Sequence, residues 1–292
     1  MIFIAIRTLS VYGYNINKEK LMNIFIYLII FIIGTLFGSF YTLAVYRIPK
    51  RQDIIYTHSY CPNCDHKLGL LDLFPIFSYI LLGGKCRYCK QKIRPRYLIL
   101  ETLSGILFVI VAYFIGINFD NLYSIKIIEY CFIVLYLTFI ILMAGIDKEN
   151  KKIDKIINIY GIVISIMYMV YLCIVQKANI YRYAIYLILY IITLIIDVIT
   201  LKKYAKSTYV NGIILAIITM LTFTGEYITA SAVILTLLAI GIYLVINKIK
   251  EKMNKSMKKD SEKSKEINIG FYLGIANVLC FCLMLLCNNY IL

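Results

Sequence analysis

Charge is scarce in this sequence. Only 16% of its 292 residues are Asp, Glu, Lys or Arg, whereas 61% belong to the hydrophobic class. A soluble domain of this length has too little interior to bury so much apolar surface. The composition therefore excludes an ordinary soluble protein, and the length of its apolar runs predicts an all-α membrane protein.

Proline is also scarce, and it is confined to one stretch. The only four prolines, Pro49, Pro62, Pro75 and Pro95, lie within residues 47–97. Because proline ends helices and punctuates loops, we predict a compact irregular subdomain there. Inside it, residues 69–84 are apolar but too short to cross a bilayer. This stretch is expected either to lie along the membrane surface or to pack on the subdomain.

Acidic residues are fewer than basic ones, 16 against 31, which gives a formal net charge of +15. Such a charge can indicate nucleic-acid binding. Here, however, the basic residues flank apolar runs, which is the pattern that orients membrane helices. We therefore predict that the partner of this charge is the lipid bilayer, with no nucleic acid.

The apolar runs predict about eight membrane-spanning helices, since each crossing needs roughly 20 apolar residues. They fall near residues 22–46, 98–118, 126–146, 154–175, 180–201, 208–225, 227–247 and 268–290. Little more than Gly225 and Glu226 separates the sixth span from the seventh. No signal-peptide cleavage pattern follows the first run, which is expected to be a retained anchor, and both Met1 and Met22 are candidate starts.

Lys and Arg are concentrated in alternate loops. The segment 47–97 carries ten of them, whereas the loops near 119–125 and 176–179 carry almost none. The positive-inside rule places the basic loops in the cytosol. We predict a multi-pass protein of the cell membrane whose 47–97 segment faces the cytosol and whose C-terminus faces out.

Four of the nine cysteines form two C-x-x-C pairs in the polar loop, with 21 residues between the pairs: Cys61, Cys64, Cys86 and Cys89. Two such pairs can complete a tetrahedral site, and the cytosol is reducing, so we predict one structural zinc ion rather than disulfides. A redox pair is the alternative, but it would leave the second C-x-x-C without a role. We interpret His58 and His66 as solvated loop residues and the other five cysteines as small hydrophobic residues of the spans.

Carboxylates occur at the ends of several predicted spans. Asp147 ends the third span, Asp154 opens the fourth, and Glu101 lies one turn into the second. Asp197 lies near the cytosolic end of the fifth span, and Glu226 lies on the opposite face. Carboxylates at membrane depth are costly and usually functional. For Asp147 and Asp154, solvation at the headgroup boundary or pairing with nearby lysines is the competing explanation.

Four stretches together resemble the bacterial prepilin peptidases, which are membrane aspartic peptidases. GTLFGSFYTLAVYRIPK (34–50) resembles the end of their first span, and residues 58–105 resemble their cytosolic cysteine loop and the start of span two. AGIDKENKKIDKIIN (144–158) resembles the segment with their first catalytic aspartate. INIGFYLGIANVL (267–279) resembles the entry to their last span.

This resemblance implies a bifunctional enzyme. It would cleave the basic leader of type IV prepilin or pseudopilin precursors at the cytosolic face and then N-methylate the new terminus with S-adenosylmethionine. Asp147 would be the first catalytic aspartate and Asp154 the accompanying downstream one. The chain would divide into an N-terminal segment with the first span (1–46), a methyltransferase-associated cysteine loop (47–97) and a multi-span peptidase-like bundle (98–292).

Two of the departures from the family pattern bear on the chemistry of the two expected activities. The family's second aspartate lies in a G-x-G-D motif, and Asn211, 64 residues after Asp147, takes its place here without either glycine. An asparagine amide neither takes nor gives a proton at neutral pH. Asp197, Asp154 or deamidation of Asn211 before Gly212 are the candidate substitutes for that carboxylate. The other departure is Thr42, where the family usually has asparagine.

Two functions follow from these residues. The first is a prepilin peptidase whose activity is weakened by Asn211. The second is a catalytically degenerate homologue that binds prepilins or acts in pilus assembly. A transporter is a weaker third candidate, because the sequence shows neither a charged pair near a bilayer midplane nor an inverted repeat.

Overall fold

The computed structural model describes residues 2–54, 56–61, 63–121, 124–175, 179–201, 207–254 and 267–291. Within these ranges the chain is almost entirely helical, as the sequence predicts. The helices are α1 (Ile2–Arg47), α2 (Leu70–Leu73), α3 (Phe77–Leu81), α4 (Arg96–Ile115), α5 (Ile125–Asn150), α6 (Lys155–Ile174), α7 (Ile180–Leu201), α8 (Ser207–Asn254) and α9 (Ile269–Ile291).

Seven of the described helices are long and apolar enough to cross a membrane: Glu19–Lys50 in α1, Arg96–Ile115, Ile125–Asn150, Lys155–Ile174, Ile180–Ile199 in α7, Tyr209–Ile249 in α8, and Ile269–Cys287 in α9. The molecule is thus a multi-pass membrane protein. The stretch in α8 has 41 residues, which is about twice the roughly 20 residues that one crossing needs.

Gly225 interrupts α8 with φ 75° and ψ 178°, a conformation that residues with a Cβ rarely adopt. The sequence predicts two spans that meet at this residue. The structure agrees, because two helical halves, residues 207–224 and 226–254, meet at this one non-helical residue. With α8 taken as two spans, the seven apolar helices contain the eight spans that the sequence predicts.

The chain forms two compact units, residues 1–43 with 53–131 and residues 44–52 with 132–292. In the first unit, the G-x-x-x-G pair Gly34 and Gly38 of α1 faces α4. A Cβ on Gly34 would lie 2.8 Å from the Cα of Gly105, and one on Gly38 would lie 2.7 Å from the Cα of Glu101. Glycine therefore lets the two helix backbones approach closely, as small residues do in membrane helix pairs.

In the second unit, α5 is the central helix. Of its most apolar stretch, 56% is buried, a larger share than in any other described span. Glycines let its neighbours approach: Gly161 of α6 lies against Phe139, and Gly274 of α9 lies against Ala144. A buried hydrogen bond of 2.6 Å from the hydroxyl of Tyr136 to the side-chain oxygen of Asn277 also joins α5 to α9. This packing fixes the position of Asp147 near the C-terminal end of α5.

Candidate functional site

The two C-x-x-C pairs of the first unit form two turns with the same hydrogen-bond pattern. The N–H of Cys61 donates to the carbonyl of His66 at 3.0 Å, and the N–H of Cys86 donates to that of Gln91 at 2.8 Å. The residue four positions after the first cysteine of each pair has positive φ, 52° at Asp65 and 60° at Lys90. Each turn is closed by an antiparallel bridge, Tyr60 with Lys67 and Lys85 with Lys92.

The four cysteine sulfurs lie close enough to hold one metal ion. All four Sγ atoms are within 4.8 Å of one another, and those of Cys61 and Cys89 are 3.8 Å apart. Sulfurs at about 2.3 Å from a tetrahedral zinc ion would be about 3.8 Å apart. The cluster predicted from the sequence is therefore present, and its spacing fits zinc.

The surroundings of Cys89 favour its thiolate, whereas the pKa of the Cys64 thiol is raised to about 11. Hydrogen bonds from the backbone of Gln91 and then from the side chain of Asn63 lower the pKa of the Cys89 thiol to about 6. His66 is exposed, and its ring lies on that of Tyr88 with 3.5 Å between the centroids. His58 is also exposed, so both histidines lie at the surface of the loop, as predicted.

The second candidate site is the buried carboxylate of Asp147 in the second unit. Asp147 has no exposed surface, and its Oδ2 accepts the backbone N–H of Phe271 at 2.9 Å. A Cβ added at Gly270 would lie only 3.2 Å from the same oxygen. Asp147 therefore caps the N-terminus of α9, where the helix dipole stabilises a negative charge. Its Oδ1 is buried without a hydrogen-bond partner.

Tyr209 is a neighbour of Asp147 that the sequence does not reveal. Its hydroxyl lies against the Asp147 carboxylate and accepts the N–H of Ile269 at 2.9 Å. The side chain of Asn268 donates to the carbonyl of Lys148 at 3.0 Å. The residues at the start of α9 are thus bound to the end of α5 and the start of α8. One tyrosine among 27 gives no sequence signal of such a role.

Asp154 has a different setting. It is the N-cap of α6, where its Oδ1 accepts the N–H of Ile156 at 2.9 Å, and it pairs with Arg51 at 3.4 Å. A cavity of about 320 Å³ adjoins this ion pair and is also lined by Lys152 and Lys155. The N-cap hydrogen bond stabilises the start of α6, and the ion pair with Arg51 joins that start to the segment after α1.

Asn211 is buried, with 6% of its surface exposed, and its side-chain amide donates to Oδ1 of Asp197 at 3.3 Å. Successive helical residues are rotated by about 100°, so Asn211 and Tyr209 point to nearly opposite sides of α8. The structure brings Asn211 to Asp197 on α7 and brings Tyr209 to Asp147. Gly212 lies within the same helix, where its N–H belongs to the backbone hydrogen-bond ladder, an arrangement that disfavours deamidation of Asn211.

Comparison with known proteins gives a consistent result. Residues 32–115 match the family model of the bacterial peptidase A24 N-terminal domain. A prepilin leader peptidase/N-methyltransferase of Vibrio cholerae serotype O1 is 40% identical over 86 residues, which are 26% of this chain and 34% of the relative. Proteins with the same name are 35% identical over 106 residues in Bacillus subtilis and 27% identical over 128 residues in Klebsiella pneumoniae. These matches confirm the resemblance that the motifs predict.

The matches cover only part of each protein. They extend over 36% of this chain and 43% of the Bacillus subtilis relative, and over 42% and 52% for Klebsiella pneumoniae. The chain thus matches less than two thirds of the length of each of these relatives. No solved structure matches the chain significantly. Asp147, Asp154 and Asn211 lie outside residues 32–115, so their roles stay predictions.

Proposed function

We propose that this relative of the prepilin leader peptidases is a membrane aspartic endopeptidase that removes the basic leader of a type IV prepilin or pseudopilin at the cytosolic face. The observation that carries the proposal is the Asp147 carboxylate, which is fully buried at the end of an apolar helix and keeps one oxygen without a partner. Burying such a group is costly, and function is the usual reason for it.

Asp147 is suited to act as a base. The N–H of Phe271 and the N-terminus of α9 stabilise its ionised form, and Oδ1 keeps its lone pairs for a water molecule. In the proposed step, Asp147 takes a proton from water while the water oxygen forms a bond to the carbonyl carbon of the scissile peptide. The same proton then passes to the leaving amine as the C–N bond breaks, so protons and electron pairs balance.

A normal aspartic dyad also has a protonated carboxyl that donates to the scissile carbonyl. Asn211 can donate a hydrogen bond through its amide but cannot transfer a proton. We therefore expect a slow enzyme, since loss of one general acid typically costs a factor of about 10² to 10⁴.

The four-cysteine loop has a structural role in this proposal. Zinc bound by Cys61, Cys64, Cys86 and Cys89 would cross-link the two turns and so hold the loop folded. N-methylation with S-adenosylmethionine is suggested by the names of the relatives. The hydroxyl of Thr42, at the position of the family's asparagine, donates to the carbonyl of Ser39 within α1 at 2.8 Å. This contact uses the one hydrogen-bond donor of the Thr42 side chain.

The competing function is a degenerate homologue that binds prepilins without cleaving them. The observation in its favour is that Asn211 is bonded to Asp197, an arrangement that needs no catalytic role. The decisive experiment is co-expression of the chain with candidate prepilins, followed by intact-mass analysis of each prepilin. Leader removal that is lost in Asp147→Asn supports the peptidase. Co-purification of an uncleaved prepilin with both the native chain and Asp147→Asn supports the binding protein.

A further inference from the structure

The short helices α2 and α3 of the cysteine loop expose an unusually apolar surface. The exposed fractions of Leu71, Phe77, Ile80 and Leu81 are 76%, 59%, 63% and 82%, and that of Phe74 is 47%. These five residues are called the apolar face below. Monomeric proteins rarely expose contiguous apolar surface of this kind without a partner.

Helices α2 and α3 together are called the α2–α3 hairpin below. The side of this hairpin opposite to the apolar face is bound to the cysteine loop. Asp72 forms an ion pair of 2.7 Å with Arg87 and accepts a hydrogen bond from Tyr88 at 3.4 Å. The hydroxyl of Tyr79 donates to the carbonyl of Ile93 at 3.4 Å. The hairpin is thus held on its polar side, and its apolar face points away from the loop.

A contact with α4 fixes the level of the hairpin relative to the membrane. The N–H of Ile76, between α2 and α3, donates to the buried side chain of Glu101 at 2.8 Å. Glu101 is the sixth residue of the membrane-spanning helix α4, about 7 Å along it from its first residue. Amphipathic helices that bind membranes lie about 5–10 Å into the boundary of headgroups and acyl chains. The hydrogen bond therefore places the hairpin in that layer.

The backbone conformation of Ile76 indicates that the position of the hairpin is fixed by its surroundings. Ile76 has φ 62° and ψ −55°, which is a strained conformation for a β-branched residue. Such strain persists only where the surrounding structure imposes it. The buried carboxylate of Glu101 provides that constraint. The backbone of Glu101 is packed against Gly38 of α1.

A basic cavity lies beside the turn that follows α3, and the nearest lining residue in sequence, Gly83, comes two residues after Leu81 of the apolar face. It has a volume of about 370 Å³ and is lined by Lys85, Lys92 and Arg94 together with Tyr79 and Pro95. Three cations beside an apolar surface match an anionic phospholipid, with its phosphate on the basic side and its acyl chains on the apolar side.

We propose that the α2–α3 hairpin is a membrane-interface anchor that inserts its apolar face into the leaflet crossed by the start of α4 and binds anionic phospholipid headgroups in the Lys85/Lys92/Arg94 cavity. This inference does not depend on peptidase activity. In this proposal the lipid surface covers the apolar face. Of the two placements that the sequence leaves open for residues 69–84, the proposal favours the one along the membrane surface.

The absence of tryptophan from the chain makes a clean test possible. Single-tryptophan variants Leu81→Trp and Phe77→Trp of the full chain, in lipid nanodiscs, report on the apolar face. Tyr56→Trp is the matched control, because Tyr56 is 86% exposed in the same loop and outside the hairpin. Zinc content and melting temperature, compared with those of the native chain, identify any variant that fails to fold.

We expect brominated lipids to quench Leu81→Trp and Phe77→Trp strongly and acrylamide to quench them weakly, with the reverse for Tyr56→Trp. Acrylamide quenching of Leu81→Trp equal to that of Tyr56→Trp would overturn the proposal. So would shielding from both quenchers, because protein would then cover the apolar face.

The headgroup cavity is tested on the Leu81→Trp background by comparing brominated phosphatidylglycerol with brominated phosphatidylcholine. Quenching should be stronger with the anionic lipid, and Lys85→Gln, Lys92→Gln and Arg94→Gln together should abolish the difference. A difference that survives this triple change contradicts the assigned cavity. An excess of inorganic phosphate should leave the difference intact, and its loss would identify a free-phosphate site instead of a lipid site.

Discussion

The side-chain amide of Asn211 donates to the carboxylate of Asp197 at 3.3 Å, across the interface of α8 and α7. The carboxylate closest to Asn211 in these contacts is therefore on α7, whereas Asp147 on α5 is bound by Tyr209 and the start of α9. This arrangement determines what substitution at Asn211 can achieve.

Restoring an aspartate at position 211 is expected to be insufficient on its own. Asn211→Asp would put two carboxyl groups at the present amide–carboxylate distance, where they would share a proton with each other rather than serve Asp147. The exchange Asn211→Asp with Asp197→Asn keeps one amide and one carboxylate in contact. Because position 211 points away from Tyr209, which contacts Asp147, we expect the exchange to recover no more of the missing factor of about 10² to 10⁴ than Asn211→Asp alone. Initial rates of leader cleavage decide the matter, and a full rate in the single variant would contradict this account.

Asp147 should have separable structural and chemical roles. Asp147→Ala leaves the buried N–H of Phe271 without an acceptor, at a cost of about 1–3 kcal/mol, and should abolish cleavage. Asp147→Asn retains an oxygen that can accept this N–H, so we expect near-native thermal stability without cleavage. Melting curves in detergent and intact-mass assays of both variants test this separation. Cleavage by Asp147→Asn at the native rate would remove Asp147 from the mechanism.

The cysteine cluster should bind one zinc ion per chain. Elemental analysis of reduced, purified protein should give about one equivalent, and Cys61→Ser or Cys86→Ser should lose it, with Cys173→Ser as the control outside the cluster. Metal binding requires thiolate, so protons compete with zinc. We therefore expect zinc to be retained at neutral pH and released as the pH is lowered into the acid range. Two disulfides in place of metal would refute the site.

Close packing of α1 on α4 should make Gly38 intolerant of substitution. A Cβ there would lie 2.7 Å from the backbone of Glu101, which cannot move aside cheaply, so we expect Gly38→Ala to destabilise the protein by about 1–3 kcal/mol. The matched control is Gly241→Ala in α8, where nothing lies within 4 Å of the added carbon and alanine favours the helix. Equal thermal shifts in the two variants would argue against the close helix pair.

The predicted orientation can be tested with single added cysteines and a membrane-impermeant maleimide on intact cells. Positions 51 and 150 should remain unlabelled and position 226 should be labelled, in comparison with the unsubstituted chain. Position 226 is a useful reporter because the Glu226 side chain is half exposed, although it contacts Tyr186 and Arg182. Labelling at position 150 would place the end of α5, and Asp147 with it, outside the cell.

The sequence by itself determined the class of the protein, the positions of nearly all apolar helices and the four-cysteine site. These features depend on local composition and spacing: a run of about 20 apolar residues forms a spanning helix wherever it packs, and two C-x-x-C turns carry their own geometry. Sequence also located Asp147 at the end of a span. It also located the break between the two halves of α8 at Gly225, but not the positive φ that a single residue adopts there, since a loop and a one-residue break differ only in backbone conformation.

Only the tertiary structure decided the partners of the polar groups. Asp147 contacts Tyr209 and Phe271, which are 62 and 124 residues away in sequence, and Ile76 is bound to Glu101 across the cysteine loop. Position along a helix fixes the direction of a side chain to within a turn, but the facing residue depends on how the helices rotate and pack against one another. The rotation of α8 therefore gives Tyr209, rather than Asn211, to Asp147, and no local pattern in the sequence encodes that choice.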